Sequence, residues 1–510
     1  MALRTSSTLA LLLTLAVAAG CNSGSRSSTR QQLGAAATTT STTGTSPTTS
    51  SSTGTPASGT PTGSGLAAEA VAIGATEQRV TASIVALSFR LAAGANATVS
   101  RIDLTSAGSV DETQLGEVRL YADSNGNGQL DQGEPLLATA AKAPANDAAY
   151  QLTPATPIAL TAGLPRTFLV AVDGSAVAHL DQVRMTGRTI ALSIADAAAI
   201  VAWDASQASI TATGSFPIGQ TITLEVNDHV LISELCTGPG SGATAEEYVE
   251  LFNATGRPVD LTNYYLTDFG DLTTTGRFYW KLPTGQDFGP TGASPTDFVV
   301  RFPAGTVMQP GQVIVVAVDG VGYQTRFGQS ANFCLRNAGA STAVQMLTWD
   351  GVVGGVNFVS APVATSVGFT GPGTTANGET VILFTWDGTS DLIKDVDILN
   401  YGPASPANPA TNKTPNQHLV AAALPDVRVD SAFDGDTTAS TFQADLEEFQ
   451  QENLRIMPGA NAVSRRVDFT EGTEVKTGGN GLTGHNETSE NLNVTFQAFS
   501  SANAQPGQVP

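Results

Sequence analysis

The chain has 510 residues, 41% of them hydrophobic and 14% charged, with 52 Gly, 26 Pro and a formal net charge of −21. That length predicts two or three domains, and the richness in Gly, Pro, Thr and Val favours an all-β chain of short strands and turns. The acidity argues against nucleic acid as a partner, because affinity for phosphate comes from clustered Lys and Arg; it suits a calcium-rich extracytoplasmic setting.

Arg4 precedes an apolar run from Thr8 to Gly20, and Cys21 follows. A charged start, a short apolar stretch and small residues before a cut predict a signal peptide over residues 1–20, too short for a stable membrane span. Ala18-Ala19-Gly20-Cys21 resembles the lipobox of bacterial lipoproteins, with Ala18 where that family usually carries Leu. The resemblance implies that Cys21 is lipidated and anchors the mature chain to a membrane. With Asn22 next, rather than a retention Asp, it implies the outer membrane or cell surface. An ordinary cleaved signal with a chance cysteine is the alternative. Residues 21–66 are almost entirely Ser, Thr, Gly, Ala and Pro, which cannot bury enough apolar surface to offset ordering entropy, so they predict a disordered tether. Its ends would lie about 5–6 Å × √n apart for n residues, enough to lift a folded body off a membrane. Of three cysteines, Cys236 and Cys334 remain; in an oxidising compartment they are expected to pair as a disulfide, the alternative being two separate buried thiols.

Residues 67–226 read as a β-sandwich of short strands. In "GEVRLYA" the alternation puts Val118, Leu120 and Ala122 on one face and Arg119 and Tyr121 on the other. The loop that follows, "DSNGNGQLDQGE", is the most pointed motif in the chain. Asp123, Asn125 and Asn127 hold positions 1, 3 and 5, Gly128 stands at the sharp turn of position 6, and Gln129 offers its backbone carbonyl at 7. Asp131 at 9 and Glu134 at 12 complete an EF-hand-type, dockerin-like set of calcium ligands, six or more oxygens folded round one point. The flanks are extended, so there is no pair of helices to swing as in a sensor. The expectation is a structural calcium clip of extracellular affinity, about 10⁻⁴–10⁻³ M.

Residues 227–500 carry a different pattern. Ser233-Glu234, the run Glu247 to Asn253, the run Asp260 to Asp268, and Pro303-Ala304-Gly305 with Pro310-Gly311 follow one another in the order seen in lamin-tail domains. The segment resembles that family, closely over 229–400 and loosely beyond, and the resemblance implies an Ig-like β-sandwich. A closing hairpin is expected around Asp387-Gly388. Inserts at 269–300 and 430–453 depart from the family pattern, and residues 501–510 are expected to be a disordered tail. The acids of "EEYVEL" are assigned to strand-end and turn hydrogen bonds rather than to acid–base work, since no partner group is in sight.

Motifs for chemistry are sparse. His179, His229, His418 and His485 share no ligand spacing. Residues 479–484 spell G-x-G-x-x-G, but without a preceding buried strand or a following helix they read as a turn. Asp430, Asp434 and Asp436 read as a solvated acidic turn rather than a second calcium loop. The sequence-based expectation is two tandem Ig-like sandwiches after a Ser/Thr-rich tether. Their role is expected to be non-enzymatic, with adhesion, scaffolding or binding of a surface protein or glycan. An accessory binding role in an extracellular nuclease or phosphoesterase system is the alternative.

Overall fold

A computed structural model describes residues 65–509 apart from 82, 176, 178, 238–243, 270, 273–276, 291–295, 338, 340, 370–378, 402–426 and 443–461. The expected signal peptide, Cys21 and nearly all of the tether lie outside the described residues.

The first sandwich begins at Leu66, whose strand Leu66–Ala70 pairs with Ile84–Ala93. One sheet runs in the order Ala212–Thr213, Leu66–Ala70, Ile84–Ala93, Arg166–Val172, Val118–Asp123 and Leu136–Ala140. The facing sheet is built on the long strand Ala97–Gly108, flanked by Thr189–Ile194 and Ile200–Asp204. Alternation explains the core. Val118, Leu120 and Ala122 are buried while Arg119 and Tyr121 are half-buried, and Phe89 stacks on Phe168 with ring centroids 5.3 Å apart. Ile102, Leu104, Ile190, Leu192 and Ile222 close the same core from the other sheet.

The second sandwich opens with Val230–Thr237, buried along its whole length, and Tyr248–Asn253, equally buried. Such strands lack an in-out alternation because both faces are covered. On one side they meet the sheet of Tyr264–Thr267, Val299–Arg301, Glu379–Thr385 and Lys394–Tyr401. On the other, Tyr323 and Phe327 of the helix Gly320–Phe327 pack edge-on to Tyr248. Asp319 caps that helix, accepting from the backbone N–H groups of Val321 and Gly322 at 2.9 and 3.0 Å. The expected turn at Asp387-Gly388 is present: Gly388 has φ 91° and Asp387 accepts from Thr389 and Ser390.

The described parts of the two inserts share one task. Phe278, Tyr279, Trp280 and Phe288 from the first, with Phe442 from the second, cover the outer face of the Tyr264–Thr267 sheet with aromatic rings, and Leu282 packs among them. Phe384, fully buried there, stacks on Tyr265 at 5.1 Å.

Two expectations are corrected. Cys236 and Cys334 are both free and buried. Cys236 pairs with Tyr248, Tyr248 with Ala317, and Ala317 with Cys334. Three strand spacings of about 4.8 Å separate their backbones, roughly twice what a disulfide can span. The segment 501–509, expected to be disordered, is docked instead. Gly507 N donates to Glu250 Oε2 at 2.7 Å, Gln329 to the Pro506 carbonyl at 2.9 Å, and Arg465 to the Asn503 carbonyl at 2.9 Å.

Candidate functional site

The loop Asp123–Glu134 sits where its sequence put it, in the connection between the paired strands Val118–Asp123 and Leu136–Ala140 at the edge of the first sandwich. Asp123 is 6% exposed, and its two oxygens accept from Gly126 N at 2.6 Å and Gly128 N at 3.1 Å. Asn125 and Asn127 both donate to Asp131 Oδ2, at 2.7 and 2.8 Å. Glu134 folds back to accept from Ser124 N at 3.1 Å and Asp131 N at 3.3 Å. Asn125, Asn127 and Glu134 therefore all meet at Asp131, Asp123 holds the turn through Gly126 and Gly128, and the Gln129 side chain lies beside Gly74. Gly128 is obligatory: its φ is 72°, and a Cβ there would meet the Ala72 carbonyl at 2.4 Å. Its own carbonyl accepts from Gly74 N at 2.9 Å, so the loop ties residues 72–74 to the hairpin.

The acids of the lamin-tail-like strands are engaged in holding the fold. Tyr248 and Arg465 donate to Glu234, the latter at 2.8 Å. Glu247 accepts from Phe369 N at 2.6 Å, and Glu250 from Ser233 Oγ at 2.8 Å. Burial, reinforced by the neighbouring Glu234 charge, pushes the Glu250 carboxyl up to about 8.

Sequence spacing missed a second constellation, where the start of Val230–Thr237 meets the segment after Ala462–Arg466. Arg466 is fully buried, with Nη2 2.6 Å from Asp397 Oδ2, Nη1 3.1 Å from Glu490 Oε1, and Nε donating to the Ile232 carbonyl at 2.8 Å. Beside it, His229 Nδ1 lies 2.8 Å from Asp228 Oδ1, and its Nε2 is 3.3 Å from Glu471 Oε2. His485 Nδ1 is 3.3 Å from Glu474 Oε2, and the two imidazoles stand edge to face at 5.7 Å. Lys476 reaches Glu474 and lies 3.5 Å from Glu471 Oε2. Ligand atoms fall within 4.8 Å of one another in three overlapping sets: Asp228, His229 and His485; His229, Glu471 and Glu487; and Glu471, Glu474 and His485.

Electrostatics follow from burial. It pushes Glu474 up to about 7, with Glu471 adding repulsion, and Glu490 up to about 8 against the pull of Arg466. Glu487 is likewise pushed well above the ordinary carboxyl range. Burial opposes the charged forms of His229 and Glu471, but their mutual attraction outweighs it, raising the imidazole and lowering the carboxyl. The sequence treated His229 and His485 as scattered; the fold brings them together. The G-x-G-x-x-G stretch is the turn that delivers His485, with Gly481 N donating to its carbonyl at 2.8 Å. His418 lies outside the described residues. Asp430 and Asp434, both exposed, meet Asp391 with ligand atoms within 4.8 Å of one another.

A cleft of about 370 Å³ opens on the second sandwich, lined in part by Asp297, Phe298, Trp349, Asp350, Pro362 and Val363.

Among solved structures, the chain is similar to a DUF4876 family protein from Bacteroides thetaiotaomicron at 11% identity, covering 59% of this chain and 77% of that one, with a TM-score of 0.24. No curated protein matches. The family model described as Lamin Tail Domain matches residues 224–403, the stretch that runs from the last strand of the first sandwich to the closing hairpin of the second. That segment is similar to lamin-tail domains, and it folds as an Ig-like β-sandwich.

Proposed function

We propose that this chain is a non-enzymatic, lipid-anchored envelope protein that binds or scaffolds through its lamin-tail domain, with Cys21 as the anchor and calcium as a structural clip. The observation that carries the reading is the engagement of Glu234, Glu247 and Glu250, each in hydrogen bonds that hold strands and the C-terminal segment together. Acids so occupied serve stability rather than proton transfer, which needs a group within reach of a substrate. The cleft beside Trp349 combines an indole with the carboxylates of Asp297 and Asp350, a combination suited to a ligand with apolar faces and hydroxyl donors, such as a glycan. Calcium enters through the loop 123–134. Asn125 and Asn127 already gather on Asp131 through their amide nitrogens, and turning the amide oxygens inward onto a cation would fix residues 72–74 against the hairpin. The test is a glycan and matrix-protein binding array on the full chain, run beside nuclease and phosphatase assays. Saturable binding weakened by Trp349→Ala, with no turnover, is the expected result. Turnover that survives repurification would overturn it.

A further inference from the structure

We propose that the His229–His485 constellation is a structural zinc-class site, separate from the calcium loop, in which His229 Nε2, His485, Glu471 and Glu474 hold a divalent transition-metal ion. Four observations converge on it.

The first is geometric. A tetrahedral ion with bonds of about 2.0–2.1 Å sets its ligand atoms about 3.3–3.4 Å apart. His229 Nε2 to Glu471 Oε2 and His485 Nδ1 to Glu474 Oε2 are both 3.3 Å. Glu471 joins these pairs, being within 4.8 Å of His229 and Glu487 in one set and of Glu474 and His485 in another. The second is dissatisfaction. His229 Nε2 and His485 Nδ1 are buried with only loose 3.3 Å carboxylate contacts and no well-formed hydrogen bond, and Glu474 Oε1 has no hydrogen-bond partner, in residues only 2%, 6% and 8% exposed. Buried polar atoms of this kind are costly unless something occupies the space between them. The third is orientation. Asp228 accepts from His229 Nδ1, so that when the ring gives up its second proton to an incoming cation it is Nε2 that faces the ion, the carboxylate–histidine–metal arrangement.

The fourth is charge. Six carboxylates crowd the region: Asp228, Asp397, Glu471, Glu474, Glu487 and Glu490. The cations that face them are Arg466 and Lys476, with Arg79 reaching Asp228 from the first sandwich. Even with the His229 imidazole counted among the cations, carboxyl groups outnumber them, and a divalent ion would favour their ionised forms. The mixed imidazole and carboxylate donors favour zinc over calcium, which takes oxygen alone. Lys476, 35% exposed, is the group the ion would displace from Glu474 and Glu471. The site joins the start of the lamin-tail domain at His229 to the polar segment 471–487, so its role would be to lock that segment onto the sandwich.

The full chain, stripped by a chelator and reloaded with zinc, should retain one equivalent by elemental analysis. Cobalt(II) in its place should give the intense visible bands of a tetrahedral ion. His229→Gln and His485→Gln should each weaken zinc binding more than about 100-fold, and Asp228→Asn about 10–100-fold as a positioning residue. Asp123→Ala should leave zinc uptake intact. A folded, stripped wild-type chain that takes up no zinc, or cobalt spectra without tetrahedral bands, would overturn the proposal even if the histidine variants fail to fold. Uptake unchanged in the double histidine variant, or abolished by Asp123→Ala, would overturn it too.

Discussion

Replacing Arg466 by Met offers a sharp view of how the C-terminal segment is held. The guanidinium is fully buried and serves Asp397, Glu490 and the Ile232 carbonyl at once, at 2.6, 3.1 and 2.8 Å. Asp397 and Glu490 are themselves only 1% and 4% exposed. Removing one partner of a buried ion pair leaves the other charge uncompensated and costs about 3–5 kcal/mol. Protonation of Glu490, whose carboxyl burial already pushes up to about 8, should keep the loss from going higher. Urea unfolding can resolve the loss because the tryptophans divide between the sandwiches: Trp203 lies in the first, and Trp280, Trp349 and Trp386 in the second. Two transitions are to be fitted separately, since a chain of two sandwiches need not unfold in one step. The second-sandwich transition should fall by about 3–5 kcal/mol and the first by much less. Adding Asp397→Asn should recover part of the loss, because the asparagine oxygen can still accept from Ile232 N, which now reaches Asp397 at 2.6 Å. A loss below about 1 kcal/mol, of the order of an exposed pair, or no recovery in the double variant, would refute the reasoning.

Two further outcomes are expected. The Glu250 carboxyl sits at about 8 in the fold against an ordinary 4.5, through burial and then Glu234. The folded state therefore holds a proton that the unfolded chain has released, and stability should fall as pH rises from about 4.5 through about 8. Glu250→Gln should flatten that part of the profile in urea midpoints measured from pH 5 to 9; an unchanged slope would contradict the assignment. Metabolic palmitate labelling of the expressed chain should disappear in Cys21→Ser, and labelling that persists would remove the anchor from the account.

Local pattern carried much of the fold. Alternation in "GEVRLYA" placed Val118 and Leu120 in the core, and the ordered phrases around Glu234, Glu247 and Asp260 marked the lamin-tail strands before their pairing was visible. The loop from Asp123 to Glu134 was legible for the same reason, since all its side chains come from twelve consecutive residues. The histidine constellation was not, because His229 and His485 lie 256 positions apart (485 − 229) and only tertiary packing joins them. A usable signal existed: Asp228 and His229 lead directly into a strand with no exposed residue, where charged groups are seldom found without a partner. The cysteines show the converse failure. Number and compartment suggested a bond, whereas strand order, which neither property encodes, puts two strands between Cys236 and Cys334. The C-terminal segment looked polar and disposable, yet its backbone N–H at Gly507 finds the buried Glu250.

The calcium clip is tested most directly by thermal or urea unfolding of the full chain, with and without 10 mM calcium, beside Asp123→Ala. For an affinity of about 10⁻⁴–10⁻³ M, that concentration should stabilise the first sandwich by about 1.4–2.7 kcal/mol. The gain should vanish in Asp123→Ala, whose lost carboxylate anchors Gly126 and Gly128. A first-sandwich midpoint that calcium leaves unmoved in the wild-type chain would contradict the account.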